Sequence, residues 1–132
     1  MALDYGKVRT GIAVTDEIQL IASGLTTVAT KDLIPFLKNY FAQENVEKVI
    51  VGEPKQMDGS ASESEKLIKA FLAKFQQNFP NLSVERQDER FTSKLAVRTM
   101  IDGGLKKKKR QDKALVDQIS ATLILQSYLE RK

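Results

Sequence analysis

The 132-residue chain contains no cysteine and no histidine. Without cysteine there are no disulfides, no thiolate metal sites and no thiol nucleophile. Without histidine, every triad that uses imidazole as its base is excluded. Hydrolytic chemistry would fall to carboxylates, lysines, hydroxyls or a bound metal. No apolar run approaches the roughly 18–20 residues that span a bilayer. The opening Met1-Ala2-Leu3-Asp4 has neither the basic start nor the apolar stretch of a signal peptide, so the cytoplasm is the expected compartment. There is no internal repeat, low-complexity segment or long linker. Aromatic residues are few, and Phe36, Phe41, Phe71 and Phe75 read as core. That leaves no stacking platform for a reader of single strands.

What is present fits one compact domain over residues 1–132. A chain of this size buries roughly two-thirds of its unfolded surface and needs no covalent staple. The net charge is +4 but unevenly spread. Between Arg98 and Lys113 seven basic residues stand against two acidic ones, Asp102 and Asp112, giving +5 there and leaving −1 elsewhere. Five of the seven are consecutive: Lys106, Lys107, Lys108, Lys109 and Arg110. Such a patch on a near-neutral body suits a polyanion. Composition alone fits a solvated loop equally well.

The pattern along the chain alternates legibly. Leu3 leads into an Asp4-Tyr5-Gly6 bend, Arg9–Thr15 reads as a strand, Asp16-Glu17 as a turn and Gln19–Ala29 as a third strand, an antiparallel meander. Only three residues precede Asp4, so the first strand is either unusually short or begins upstream of this sequence. Thr30 or Asp32 would cap a helix reaching about Glu44, with Leu33, Phe36, Leu37, Tyr40 and Phe41 on one face. Lys48–Gly52 is a short apolar strand of the kind buried on both faces. After a loop from Glu53-Pro54 to Gly59-Ser60, a helix opening at Ser62–Glu65 runs to about Phe79, with Leu67, Ala70, Phe71 and Phe75 expected inward. Leu82–Asp88 is a fifth strand. Thr92 or Ser93 would cap a third helix ending at Gly103-Gly104. Asp112 would cap the last, from Lys113 to about Glu130. The order is β-β-β-α-β-α-β-α-α, an α/β fold with a mixed five-stranded sheet and helices on both faces.

The acids fall at telling places. Strands one, four and five are expected to run parallel, which brings Asp4, Glu53 and Asp88-Glu89 to one edge, beyond the strands' carboxyl ends, where open sheets form sites. On the last helix Ala114, Asp117, Ala121, Ile124 and Tyr128 share one stripe, and an aspartate on an apolar stripe is costly without a partner. Either it lies at the stripe's margin on a basic side chain, or it joins the other acids. Converging carboxylates raise each other's cost of ionisation, and a divalent cation removes the conflict. Oxygen-only ligands suit Mg²⁺ or Mn²⁺ rather than zinc.

Four segments together resemble the YqgF/RuvX family: Leu3-Asp4-Tyr5-Gly6 with Arg9–Val14, Val51–Pro54 with Met57-Asp58-Gly59, Asp88–Ser93, and Val116-Asp117 continuing to Gln126. They occur in order over nearly the whole chain. The resemblance implies an RNase H-like fold akin to RuvC-type Holliday junction resolvases. It also implies a metal-dependent nuclease that processes the 5′ end of pre-16S ribosomal RNA. Carried over, the catalytic and metal-binding acids would be Asp4, Glu89 and Asp117, with Asp88 orienting or tuning them. Where the family commonly has an aliphatic residue this chain has Glu53, either an added ligand or, the favoured reading, an edge residue facing solvent. Arg9 and Arg90 would be ion-pair partners of the acids or clamps on a phosphate. Gly6 and Gly11 would serve turns or close packing. Thr92 and Ser93 would be helix caps, or a helix N-terminus holding phosphate. Lys106–Arg110 would grip phosphates near the cleaved bond, with little sequence preference.

The rival readings are a Holliday junction resolvase, which would normally need a dimer, and a non-catalytic nucleic-acid binder in ribosome assembly, for which the basic loop would matter and the acids would not. The chain is too short for a two-domain ATPase of related topology. The expected partners are structured nucleic acid, as rRNA precursor or junction DNA, and the ribosome. No membrane is expected, and the chain would be a monomer or weak dimer.

Overall fold

A computed structural model describes residues 1–54, 63–89 and 113–131. The strands are β1 (Ala2–Tyr5), β2 (Arg9–Thr15), β3 (Ala22–Ala29), β4 (Lys48–Glu53) and β5 (Ser83–Asp88), and the α-helices are α1 (Leu33–Gln43), α2 (Glu65–Asn78) and α3 (Lys113–Arg131). The sheet order is β3-β2-β1-β4-β5. The first three strands pair antiparallel, while β4 runs parallel to both β1 and β5. The mixed sheet expected from the alternation of elements is therefore present. The expected helix between Thr92 and Gly104, the Asp112 cap, and the basic run Lys106–Arg110 lie outside the described residues, as does most of the loop after Pro54.

Strand alternation sorts the sheet into two faces. Leu3, Ile12, Val49 and Val51 meet Leu33 and Leu37 of α1 and Ile68, Phe71 and Phe75 of α2. Ala2, Ala13 and Ile50 face the other way, against Ala121, Ile124, Leu125 and Tyr128 of α3. The small residues on that second face let α3 lie close to the sheet. Phe36, Tyr40 and Phe41 flank the first core as partly buried rings.

Three local expectations change. Leu67 and Ala70 are exposed, and the buried stripe of α2 is Glu65, Ile68, Phe71 and Phe75. Leu67 and Ile68 stand four and three residues before Phe71, both towards its side of the helix, and the sheet covers Ile68 and leaves Leu67 exposed. The β2–β3 turn is longer than two residues: Asp16 accepts the N–H groups of Leu20 and Ile21 on Oδ1, at 2.8 and 3.2 Å, and β3 starts only at Ala22. Neither Thr30 nor Asp32 caps α1 through its side chain. The Thr30 hydroxyl instead donates to the Gly6 carbonyl at 2.6 Å and meets the Thr10 hydroxyl at 2.9 Å, which fastens the bend that follows Asp4.

Candidate active site

β1 places Asp4 on the α3 face, two residues beyond Ala2. Its neighbours across the sheet are both glycines. Gly11 of β2 pairs with Asp4 directly, and Gly52 of β4 stands one step beyond the Leu3–Val51 pair. Each glycine admits something a side chain would exclude. A Cβ on Gly11 would run into the backbone of α3 at the Asp117 carbonyl and come within 3.0 Å of the Gln118 nitrogen. A Cβ on Gly52 would occupy the position of the Glu89 carboxylate and lie 2.8 Å from Ile124 Cδ1. Asp4 is therefore flanked on one side by the first turns of α3 and on the other by the carboxylate of Glu89. Close packing, the plain reading of Gly11, is what the structure uses it for.

Glu89 follows β5 directly, and its N–H donates to the Glu53 carbonyl at 3.2 Å. Burial, then repulsion from Asp4, pushes its carboxyl up to about 8, against a downward pull from Arg86 and smaller upward pushes from Glu65 and Asp88. Burial, then the charge of Asp117, pushes Asp4 up to about 7. Asp4 thus couples to both of the other acids. Asp117 is held by Arg9, whose Nε donates to Oδ2 at 2.8 Å. Thr27 Oγ1 donates to the Ala114 carbonyl at 2.6 Å and ties the start of α3 to β3.

Strand alternation puts Asp88 and Glu53 on the opposite face from Asp4, with Val84 and Val49. Asp4 lies between Glu89 and Asp117 and interacts with each, whereas Glu53 and Asp88 stand apart on the other face. Arg90 lies outside the described residues.

Two features had no place in the sequence reading. Arg86 and Glu65 form a bidentate pair, at 2.7 and 3.0 Å, beneath the end of β4. The sequence marks only the need for partners, since Arg86 lies two residues from Val84 and Glu65 three before Ile68; that each is the other's partner is set by the fold. Gln87 is the other. Among the described residues its Oε1 is buried without a hydrogen-bond partner, on the strand position paired with Gly52.

The donor set fits a hard divalent cation. It consists of carboxylate oxygens alone, and two of the carboxyls are held up towards neutral pH by burial and mutual repulsion, the conflict a cation relieves. Among the described residues no three acidic side chains stand close enough to enclose an ion. Asp117 is drawn to Arg9 instead. Among the described residues, too, no helix is long and apolar enough to cross a membrane.

Comparison with known proteins gives these residues a context. Proteins named "Putative pre-16S rRNA nuclease" match the full length of the chain. The one from Flavobacterium psychrophilum is 63% identical over 132 residues and 96% of its own length. The one from Christiangramia forsetii is 65% identical over 129 residues, 98% of this chain and 96% of its own. The one from Bacteroides thetaiotaomicron is 60% identical over 132 residues and 96% of its length. Residues 1–131 also match the family described as RuvX, Holliday junction resolvase. With an α/β sheet of this order and a family match over residues 1–131, the chain belongs to the RuvX family.

Proposed function

We propose that the chain is a metal-dependent nuclease that hydrolyses phosphodiester bonds at the 5′ end of the pre-16S ribosomal RNA precursor. The observation that carries this reading is the set of acids around Asp4: Glu89 across Gly52, Asp117 across Gly11, and carboxyls raised to about 7 and about 8 at Asp4 and Glu89. Gathering acids in this way is costly, because each makes the next harder to ionise. Asp4, Glu89 and Asp117 would hold Mg²⁺ or Mn²⁺. When bound, the cation supplies an activated water and stabilises the leaving oxygen. The chain's own residues do the rest. Asp4 and Glu89 fix the reacting edge of the sheet. Arg9, which donates to Asp117, would offer the rest of its guanidinium to a phosphate oxygen. Lys106–Arg110, just before α3, hold the flanking backbone by charge. The names of the relatives support pre-16S rRNA as substrate, and the setting proposed with it is the cytoplasm and the ribosome.

The family description favours a second substrate, four-way DNA junctions. One experiment separates the readings: cleavage of a labelled pre-16S 5′ segment beside a four-way junction, with Mn²⁺, with EDTA, and with Asp117→Asn. Metal-dependent cutting of the RNA, lost in the variant, is expected. Cutting of the junction alone would make it a resolvase. Salt-sensitive binding with no cutting of either would leave a non-catalytic assembly factor.

A further inference from the structure

On the face of the sheet turned away from Asp4, Glu65 opens α2 only 6% exposed, and Arg86 reaches it from β5. The Arg86 guanidinium does more than pair with Glu65. Its Nε donates to the Val51 carbonyl at 3.2 Å and its Nη2 to the Gly52 carbonyl at 3.0 Å. One planar group therefore ties the start of α2 to two consecutive backbone carbonyls at the end of β4. Buried ion pairs contribute little net stability, and apolar residues of similar volume commonly serve as well. What distinguishes this pair is what it holds.

Gly52 is the seat of the Glu89 carboxylate, and Glu53, the next residue, receives the Glu89 N–H. A small displacement of Gly52 would reach Glu89 by both routes. We infer that Arg86, keyed by Glu65, is a positioning residue: it fixes the Val51-Gly52 end of β4 and thereby sets Glu89 against Asp4. The inference rests on the reading of Asp4 and Glu89 as metal ligands. Arg86 acts through backbone carbonyls, beside the pull of its charge on Glu89, and is placed to touch neither metal nor substrate. Lysine does not replace it, because a single ammonium lacks the planar fork that reaches the carboxylate and both carbonyls together.

The test compares the wild type with Glu65→Leu/Arg86→Met, which removes both charges so that neither is left orphaned, and with Arg86→Lys. Three quantities are read: Mn²⁺ affinity from the paramagnetic resonance signal of free Mn²⁺, kcat and KM on the RNA segment, and the thermal midpoint. The double variant is expected to fold with a midpoint close to wild type. Its Mn²⁺ affinity and kcat fall about 10–100-fold while KM is unchanged, as for loss of an outer-shell partner. Arg86→Lys is expected to lie between the two. Mn²⁺ affinity and kcat within about twofold of wild type in the double variant would overturn the inference, since an outer-shell role predicts more. Should the double variant not fold, Arg86→Lys decides: a lower midpoint with Mn²⁺ affinity and kcat intact means a purely structural pair. A wild type that binds no Mn²⁺ overturns the metal reading itself, a failure visible before any variant is made.

Discussion

The two faces of the sheet are built from different materials. Against α1 and α2 stand Leu3, Ile12, Val49 and Val51, closed over by Ile68, Phe71 and Phe75, with a run of ring contacts from Tyr5 through Phe71, Phe75 and Phe79 to Phe41. Against α3 stand Ala2, Gly11, Ala13 and Gly52, then Asp4, Gln87 and Glu89. The first face buries large apolar side chains and supplies most of the hydrophobic stabilisation. The second accepts thin packing and unfavourably buried carboxyls. A single sheet thus separates the large apolar core from the buried carboxyls, and because alternate residues of each strand point to opposite faces, the two sets interleave one residue apart.

The division can be broken most directly by one substitution on each face. Phe75→Ala, at the centre of the α1/α2 face, should cost about 3–5 kcal/mol in urea unfolding and leave kcat of the folded protein unchanged. Asp4→Asn should do the reverse. Its Mn²⁺-dependent cleavage should fall by more than the roughly 10–100-fold that an outer-shell partner costs, with an unfolding midpoint at or above wild type. Equal losses of kcat in the two variants would show that the faces are not separable.

A second test uses pH. Asp4 and Glu89 have folded-state values, about 7 and about 8, above the ordinary 3.8 and 4.5. Between those limits the folded chain holds protons that the unfolded chain has released. Stability without metal is therefore full below about pH 4 as far as these groups are concerned, and falls as pH rises through 7 and 8. Urea midpoints in EDTA between pH 5 and 8.5 should slope downward, Asp4→Asn should flatten the slope, and Mn²⁺ should restore the midpoint at the alkaline end. A flat profile in the wild type would mean that the α3 face bears no such cost.

Much of this arrangement was legible in the sequence. Period-two and helical patterns mark nearly every described element, and β2 falls on Arg9–Thr15 as its residues suggest. Asp117 on the stripe of Ala121 and Ile124 signals an acid that needs a partner, and the basic partner is Arg9. Other features depend on tertiary contacts that no local pattern carries. Thr30 has the chemistry of a cap, but the Gly6 carbonyl competes for its hydroxyl and wins. Leu67 is as apolar as Ile68, and only the position of the sheet decides which is covered. The partnership of Glu65 with Arg86 joins residues 21 apart in sequence. Gly52 reads as an ordinary strand-end glycine until Glu89 is seen lying over it.

The finest distinction lies within the α3 face, between the two glycines beside Asp4. At Gly11 an added methyl meets helix backbone, the Asp117 carbonyl and the Gln118 nitrogen, which move only if α3 moves. At Gly52 it meets the ends of two flexible side chains, the Glu89 carboxylate and Ile124 Cδ1. Gly11→Ala should therefore cost about 1–3 kcal/mol of stability as an overpacked contact, with activity lost in step as α3 and Asp117 lift away. Gly52→Ala should be nearly neutral in urea, because Glu89 and Ile124 can swing aside. Glu89 would then leave Asp4, and Mn²⁺ affinity should drop by about 10–100-fold at almost unchanged stability. The opposite ranking, with Gly52→Ala the less stable and Gly11→Ala the weaker in metal binding, would place the functional carboxylate on the helix side of Asp4 rather than the β5 side.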